Sequence, residues 1–278
     1  MAKAYFGNAK EQEAFAARHP VFMAHAEEIL QLVNRVVGDK RAIEKPVDRV
    51  VYALGRIGAD EFWEIVPTAA NGYGIAALKL LRALFEKTVT MKYLIAQPEK
   101  SDDFLDYFWV NARRSMMHMR AAGYDPEKVT SPEQVKEIEE GFTKVRDRYI
   151  EDLCKKCGTT RPMASWTKLN LADMAKYVGI GRTYMALCYI PTLQIHATMQ
   201  GLMNWTHQTA DGTMEVGGHA QHAQADTAVV GGHLCLSLIL EAHIQHFGLA
   251  VPIDEVRRSL RECWPTEAKG IDRETPTS

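Results

Sequence analysis

The sequence lacks the short motifs that identify most nucleotide-binding and hydrolytic enzymes. It contains no GxGxxG, no GxxxxGK[ST] and no GxSxG, so nothing in it indicates a dinucleotide fold, a P-loop or a hydrolase nucleophile. It also has no HExxH, and no ExxH repeated on two helices, which are the signatures of zinc proteases and of di-iron proteins. The sequence therefore names neither a reaction nor a cofactor, and both stay unknown at this stage.

Cysteine and net charge are both scarce. The 278 residues include five cysteines and carry a formal net charge of -2. An odd number of cysteines, mostly in apolar helical contexts, predicts reduced thiols in a cytoplasmic protein. A single CxxC, Cys154 to Cys157, has no second pair to complete a zinc site. The balanced charge gives no global attraction to nucleic acid or to an acidic membrane.

The sequence also lacks the patterns expected of a secretion signal and of a membrane-spanning helix. The N-terminus, MAKAYFGNAKEQEAF, has no apolar core of the kind a secretion signal needs. The longest apolar stretch, VVGGHLCLSLIL, is too short to cross a bilayer and contains a histidine. We therefore expect a soluble protein in the cytoplasm, without a membrane partner.

Alternating strand patterns are absent, and almost every periodic segment has helical spacing. The predicted fold is all-α, a multi-helix bundle of about eight or nine helices. We predict a single helical domain over residues 1–265, with a charged helical arm at about 131–157 and a disordered tail at 266–278. Residues 158–169 and 207–218 are predicted to be loops.

The segment LKLLRALFEKTVTMKYL places Arg82 and Glu86 one turn apart, beside the apolar face of its helix. Burying two charges costs several kcal/mol each unless further hydrogen bonds satisfy them. One interpretation is a structural ion pair. The other is a polar pocket between helices, in which Arg82 binds an anion or carboxylate and Glu86 holds the guanidinium or moves a proton.

A second helix, RTYMALCYIPTLQIHATMQ, places Tyr189 and His196 two turns apart on one face, with Pro191 as a predicted kink. His196 is a candidate general base, metal ligand or hydrogen-bond partner of another helix. Further along the chain, His219 and His222 have the i, i+3 spacing with which two histidines bind one metal.

Two segments together resemble an uncharacterised bacterial family, domain of unknown function five-six-seven-seven. They are NGYGIAALKLLRALFEKTVTMKYLIAQPE and SWTKLNLADMAKYVGIGRTYMALCYIPTLQIHAT, and the resemblance covers roughly residues 50–201. It implies a helical bundle and no established activity. The residues that it carries over are Arg82, Glu86, Trp166, Tyr184 or Tyr189, and His196.

That family is similar in turn to HEPN helical bundles, many of which are ribonucleases or nucleotide-binding proteins of toxin and phage-defence systems. HEPN ribonucleases carry an Arg and, four to six residues later, a His on a late helix. Arg182 and His196 are too far apart for this spacing. Only Arg113 and His118 have it, and they lie on an earlier helix.

Three hypotheses follow. In the first, Arg82, Glu86, Tyr189 and His196 form a polar site between helices that binds a nucleotide or another small anionic ligand, with acid–base chemistry. In the second, the chain is a HEPN-like ribonuclease or RNA-binding module, with a homodimer left open. In the third, it is a structural or interaction protein.

Overall fold

The computed structural model of the protein describes residues 7–154, 159–196, 199–203, 205–217 and 220–265. It confirms the all-α multi-helix bundle. The helices are α1 Ala9–Arg18, α2 Pro20–Val33, α3 Pro46–Ala70, α4 Gly74–Ala96, α5 Ser101–Ala121, α6 Pro126–Val129, α7 Pro132–Val145, α8 Leu171–Tyr177, α9 Ile190–Ile195, α10 Met199–Met203, α11 His222–Phe247 and α12 Ile253–Cys263. The strands are β1 Ile150–Cys154, β2 Thr159–Pro162, β3 Thr206–Gln208 and β4 Met214–Val216.

The chain forms two compact units. The first contains residues 1–96 and 171–278, and the second contains residues 97–170. The second unit has its own apolar cluster, built on Tyr107, Val110 and Tyr149 and bordered by partly buried aromatic side chains. The predicted charged arm falls inside this unit. The single-domain assignment and the disordered tail, which lies outside the described residues, both stay predictions.

The centre of the first unit is the packing of α11 against α3 and α4. Two glycines let these helices approach closely, since a Cβ on Gly55 of α3 would lie 2.0 Å from Cε1 of His243 on α11, and one on Gly231 of α11 would lie 3.0 Å from Cδ2 of Leu81 on α4. Fully buried side chains, among them Phe62 and Leu81, fill the space between the three helices. This core fixes the exposed stripe of α4, on which the candidate site lies.

α11 is apolar on almost every face. By length and composition it is a candidate to cross a membrane, but 78% of its most apolar window is buried inside the protein, as in the core helix of a soluble domain. Histidine–carboxylate contacts join it to other helices. His246 Nε2 lies 2.9 Å from Asp48 on α3, and Asp226 lies 2.8 Å from His19. A cytoplasmic location stays a prediction.

Two predicted loops contain strands instead. β2 lies in the first of them and pairs antiparallel with β1, and β3 pairs with β4 in the second. β1 falls in the predicted helical arm, so the arm is helical in α7 only as far as Val145 and its last part is a strand. The second hairpin turns at Asp211 and Gly212, where Gly212 has φ of +84°. Asp-Gly strongly favours a hairpin turn, and a hairpin forms here although the polar composition of the segment predicted a loop.

We predict that Gly55→Ala destabilises the protein by about 1–3 kcal/mol, because the new methyl group overlaps the fully buried ring of His243. Urea unfolding measures the change. Gly38→Ala is the matched control, since its Cβ would meet nothing closer than 3.7 Å. Equal unfolding midpoints for Gly55→Ala and the wild type would show that the two helices are not in contact there.

Acid should destabilise the first unit through two buried histidines. Burial lowers the pKa of His233 to about 3 and that of His243 to about 4. Both rings are neutral in the folded chain, whereas the unfolded chain protonates them below a pH of about 6.5. Their contribution to stability is therefore complete above that pH and is lost as the pH falls towards the folded pKa values.

We expect the wild-type unfolding free energy to fall on acidification, and His243→Leu to remove roughly 2 kcal/mol of the loss between about pH 7 and about pH 5. Urea titrations at several pH values measure this slope. The exposed His118, replaced in the same way, is the control and should leave the slope unchanged. A His243→Leu slope equal to that of the wild type contradicts the prediction.

Candidate functional site

Arg82 on α4 meets the second helix of interest through one specific hydrogen bond. Its Nε donates to Oγ1 of Thr192 on α9 at 2.8 Å, across 110 residues of sequence. The Thr192 hydroxyl donates in turn to the carbonyl of Cys188 at 2.7 Å. The guanidinium is thus held from one side by a threonine whose own proton is already engaged. The two helices singled out in the sequence do come together at this point.

The other side of the guanidinium faces partly towards solvent. Arg82 Nη1 lies 3.7 Å from Oε2 of Glu86, one turn along α4, and the two side chains are 33% and 53% exposed. That distance is an ion pair without a good hydrogen bond. In the part of the chain that the structure describes, the terminal nitrogens of Arg82 make no hydrogen bond. They therefore remain available to an incoming anion.

Tyr184 and Cys188 complete the cluster. Burial raises the pKa of the Cys188 thiol and of the Tyr184 hydroxyl, and the nearby Arg82 charge opposes the shift in both. The Tyr184 ring also lies 6.4 Å from that of Phe85 on α4, measured between centroids. Both groups therefore stay neutral near pH 7, so among the described residues Glu86 is the group that balances the positive charge of Arg82.

The cluster lies at a π-helix, Met185–Tyr189. This helix precedes Pro191, which lacks the N–H that a regular α-helix would direct to the carbonyl of Leu187. Hydrogen bonds in the i→i+5 register turn the following residues away from their α-helical positions. Thr192, three residues after the end of this π-helix, is the residue that reaches Arg82. Sequence reasoning did not single out Thr192 or Cys188 as partners of Arg82, although Thr192 shares the predicted stripe of Tyr189, because an uncharged hydroxyl and a thiol form no recognisable pattern there.

The other predicted members of the site lie elsewhere on this segment. Tyr189 is 43% exposed. His196 is exposed just after the end of α9, where the backbone becomes extended. Among the described contacts, none joins either side chain to Arg82 or Glu86. The structure thus brings Arg82 and Glu86 to the interrupted helix, while direct participation of Tyr189 and His196 stays a prediction.

One of the two histidines predicted to bind a metal lies within the described residues. His219 lies outside the described residues, and His222 Nε2 lies 2.6 Å from Oε2 of Glu11 on α1. In the described ranges, no group of three or more His, Cys, Asp or Glu side chains is placed to hold a metal ion. Through this contact His222 links α11 to α1.

The residues with HEPN-like spacing lie in the second unit and have local partners. Arg113 Nε donates to Glu139 at 3.1 Å, and its guanidinium lies 4.3 Å from the centre of the Phe142 ring. His118 is exposed. Trp166, which the resemblance also carried over, packs edge-on against Phe104 in this unit. The contacts of Arg113 and Trp166 are those of residues that hold α5, α7 and the following segment together.

Comparison with known proteins places residues 62–213 in a family model described as a family of unknown function (DUF5677). This range includes Arg82, Glu86, Cys188 and Thr192. No curated protein and no solved structure matches the chain.

The hydrogen bond between Arg82 and Thr192 yields a direct prediction for stability. Thr192→Val keeps the shape but leaves Nε of Arg82 without its acceptor, so we expect a loss of about 1–2 kcal/mol in the unfolding free energy. Thr192→Ser retains the hydroxyl and should lose less. Urea unfolding of the three proteins measures both changes, and a valine variant as stable as the wild type rules out a significant bond.

Proposed function

The chain belongs to the DUF5677 family of unknown function, and we propose that it binds a small anionic ligand at Arg82, in a polar site between α4 and the π-helix–α9 segment. The observation that carries the proposal is the orientation of Arg82. Its Nε is held by Thr192, and its terminal nitrogens point to a partly exposed region. A guanidinium fixed in this way loses little conformational entropy when it binds a phosphate or carboxylate through two parallel hydrogen bonds.

A surface ion pair is the simpler explanation of Arg82 and Glu86, and a second pair in the same chain shows what that looks like. Arg258 and Glu262 on α12 have the same i, i+4 spacing, with 4.0 Å between Nε and Oε1, and Arg258 is 64% exposed. No described hydrogen bond holds Arg258. Arg82 differs because another helix holds it and a π-helix, frequent at functional sites, adjoins it.

Acid–base chemistry on the bound anion is part of the same proposal. Glu86 lies beside the guanidinium and is half exposed, so its carboxylate is within reach of a ligand held by Arg82. We propose Glu86 or His196 as the proton acceptor, with Tyr189 as an exposed hydroxyl on the same segment. In this arrangement Arg82 stabilises the anion while one neighbouring group exchanges the proton.

The HEPN-like ribonuclease or RNA-binding module and the structural or interaction protein remain alternatives to this proposal. Neither has a specific contact in its favour, since Arg113 is engaged with Glu139 and Phe142. The small anion is therefore the ligand class we put forward.

Binding of AMP and of inorganic phosphate to the purified full chain, measured by isothermal titration calorimetry, tests the proposal. Arg82→Met should weaken binding by about tenfold or more, because it removes a charged hydrogen-bond donor from the ligand. Arg258→Met, which removes the same charge from the matched surface pair, should leave the affinity unchanged.

Two results would overturn the proposal. One is that neither anion binds the wild-type chain at millimolar concentration. The other is equal weakening by Arg82→Met and Arg258→Met, which is the behaviour of non-specific attraction to surface charge. Proton transfer is tested with Glu86→Gln and His196→Ala. Each variant should retain AMP binding, even where the substitution removes chemical conversion of the bound ligand.

A further inference from the structure

A cavity of about 610 Å³ lies in the first unit, at the far end of α4 from Arg82. The C-terminal turns of α4 and α8, the segment after α8, and the outer faces of α11 and α12 enclose it. Its volume is within the range of ~300–1,000 Å³ that is typical of small-molecule sites. Its walls are largely apolar, and include Ile95, Ile180, Leu234, Leu238 and Ala242.

Lys92 is the unusual member of this cavity. It projects from α4 among these apolar walls, and burial lowers its pKa, which the attraction of Glu241 partly opposes. Within the described residues its amine makes no hydrogen bond and no ion pair. A lysine placed in apolar surroundings normally bends its amine to water or to a carboxylate. Lys92 is one of the residues that line the cavity, and its side chain is partly buried there.

Glu241, the nearest acid, is already engaged by another cation. Arg257 on α12 binds it through two hydrogen bonds, Nε to Oε1 at 3.1 Å and Nη2 to Oε2 at 2.9 Å. This two-point pair balances the charge of Glu241 with Arg257. Among the described residues that line the cavity, the charged ones are Lys92, Glu241 and Arg257, so one positive charge remains, at Lys92.

We propose that this cavity binds a monocarboxylate with a short apolar tail, whose carboxylate pairs with Lys92 and whose tail lies along the α11 wall. The single excess positive charge matches one carboxylate. The apolar walls match an alkyl chain and disfavour a highly hydrated ligand such as inorganic phosphate. The Glu241–Arg257 pair also lines the cavity, and because its two charges balance it adds no second position for an anionic group.

Octanoate and 1-octanol are the probes, titrated into the full chain by isothermal titration calorimetry. The wild type should bind octanoate about tenfold more tightly than the alcohol, which has the same tail without the charge. Lys92→Met should weaken octanoate to the level of octanol, whereas Lys92→Arg retains most of the affinity. Leu238→Trp fills the cavity and should weaken both probes.

One control separates this site from general attraction to surface charge. Lys79→Met removes an exposed lysine from the same helix and should leave octanoate affinity unchanged. Equal affinity of the wild type for octanoate and octanol overturns the proposal without any variant, as does octanoate binding that survives Lys92→Met in a chain with native circular dichroism. Failure here leaves the Arg82 proposal intact, because AMP and phosphate test that site separately.

Discussion

The bond from Arg82 to Thr192 is the contact on which the functional interpretation depends. It joins a helix of the central core to the π-helix–α9 segment, which begins at Met185, 15 residues after the last residue of the second unit. It also fixes a guanidinium whose positive charge the neutral Tyr184 and Cys188 do not balance. Without it, Arg82 and Glu86 would be an ordinary surface pair worth a few tenths of a kcal/mol. With it, one face of the cation is held in place and the other is left to solvent.

The core beneath α4 holds Arg82 in position for this hydrogen bond. α4 packs on α3 and α11 along a face of fully buried side chains such as Leu81 and Phe85, and close contacts at Gly55 and Gly231 bring the helices together. The same helix carries two charged residues beside this face, Arg82 near the π-helix and Lys92 near the large cavity. A packed helix thus supports two separate polar positions.

The all-α class and the importance of Arg82 and Glu86 were accessible from the sequence, because helical periodicity and a charged pair beside an apolar stripe are local signals. The partner of Arg82 was not. The predicted stripe of Tyr189 and His196 also contains Thr192, but α9 ends at Ile195 and the backbone is extended at His196. Among the described contacts it is therefore the Thr192 hydroxyl that meets Arg82. Lys92 gave no signal either, since its surroundings come from α8, α11 and α12, which are distant in sequence.

The two sites differ in the ligands their surroundings favour. Around Arg82 the neighbours are hydroxyl, thiol and carboxylate groups at a partly exposed surface, which suits a hydrated anion. Around Lys92 the walls are aliphatic, which suits an anion with an apolar tail. Whether the sites communicate depends on α4, which carries both cations ten residues apart in a continuous helix.

A double-mutant cycle on AMP affinity tests the central claim most directly, because it asks whether Thr192 acts through Arg82. The account predicts that Thr192→Val weakens AMP binding to the otherwise wild-type chain, yet causes no further loss once Arg82→Met is present. Equal losses in the two backgrounds would mean that Thr192 does not position the guanidinium, and would contradict the account.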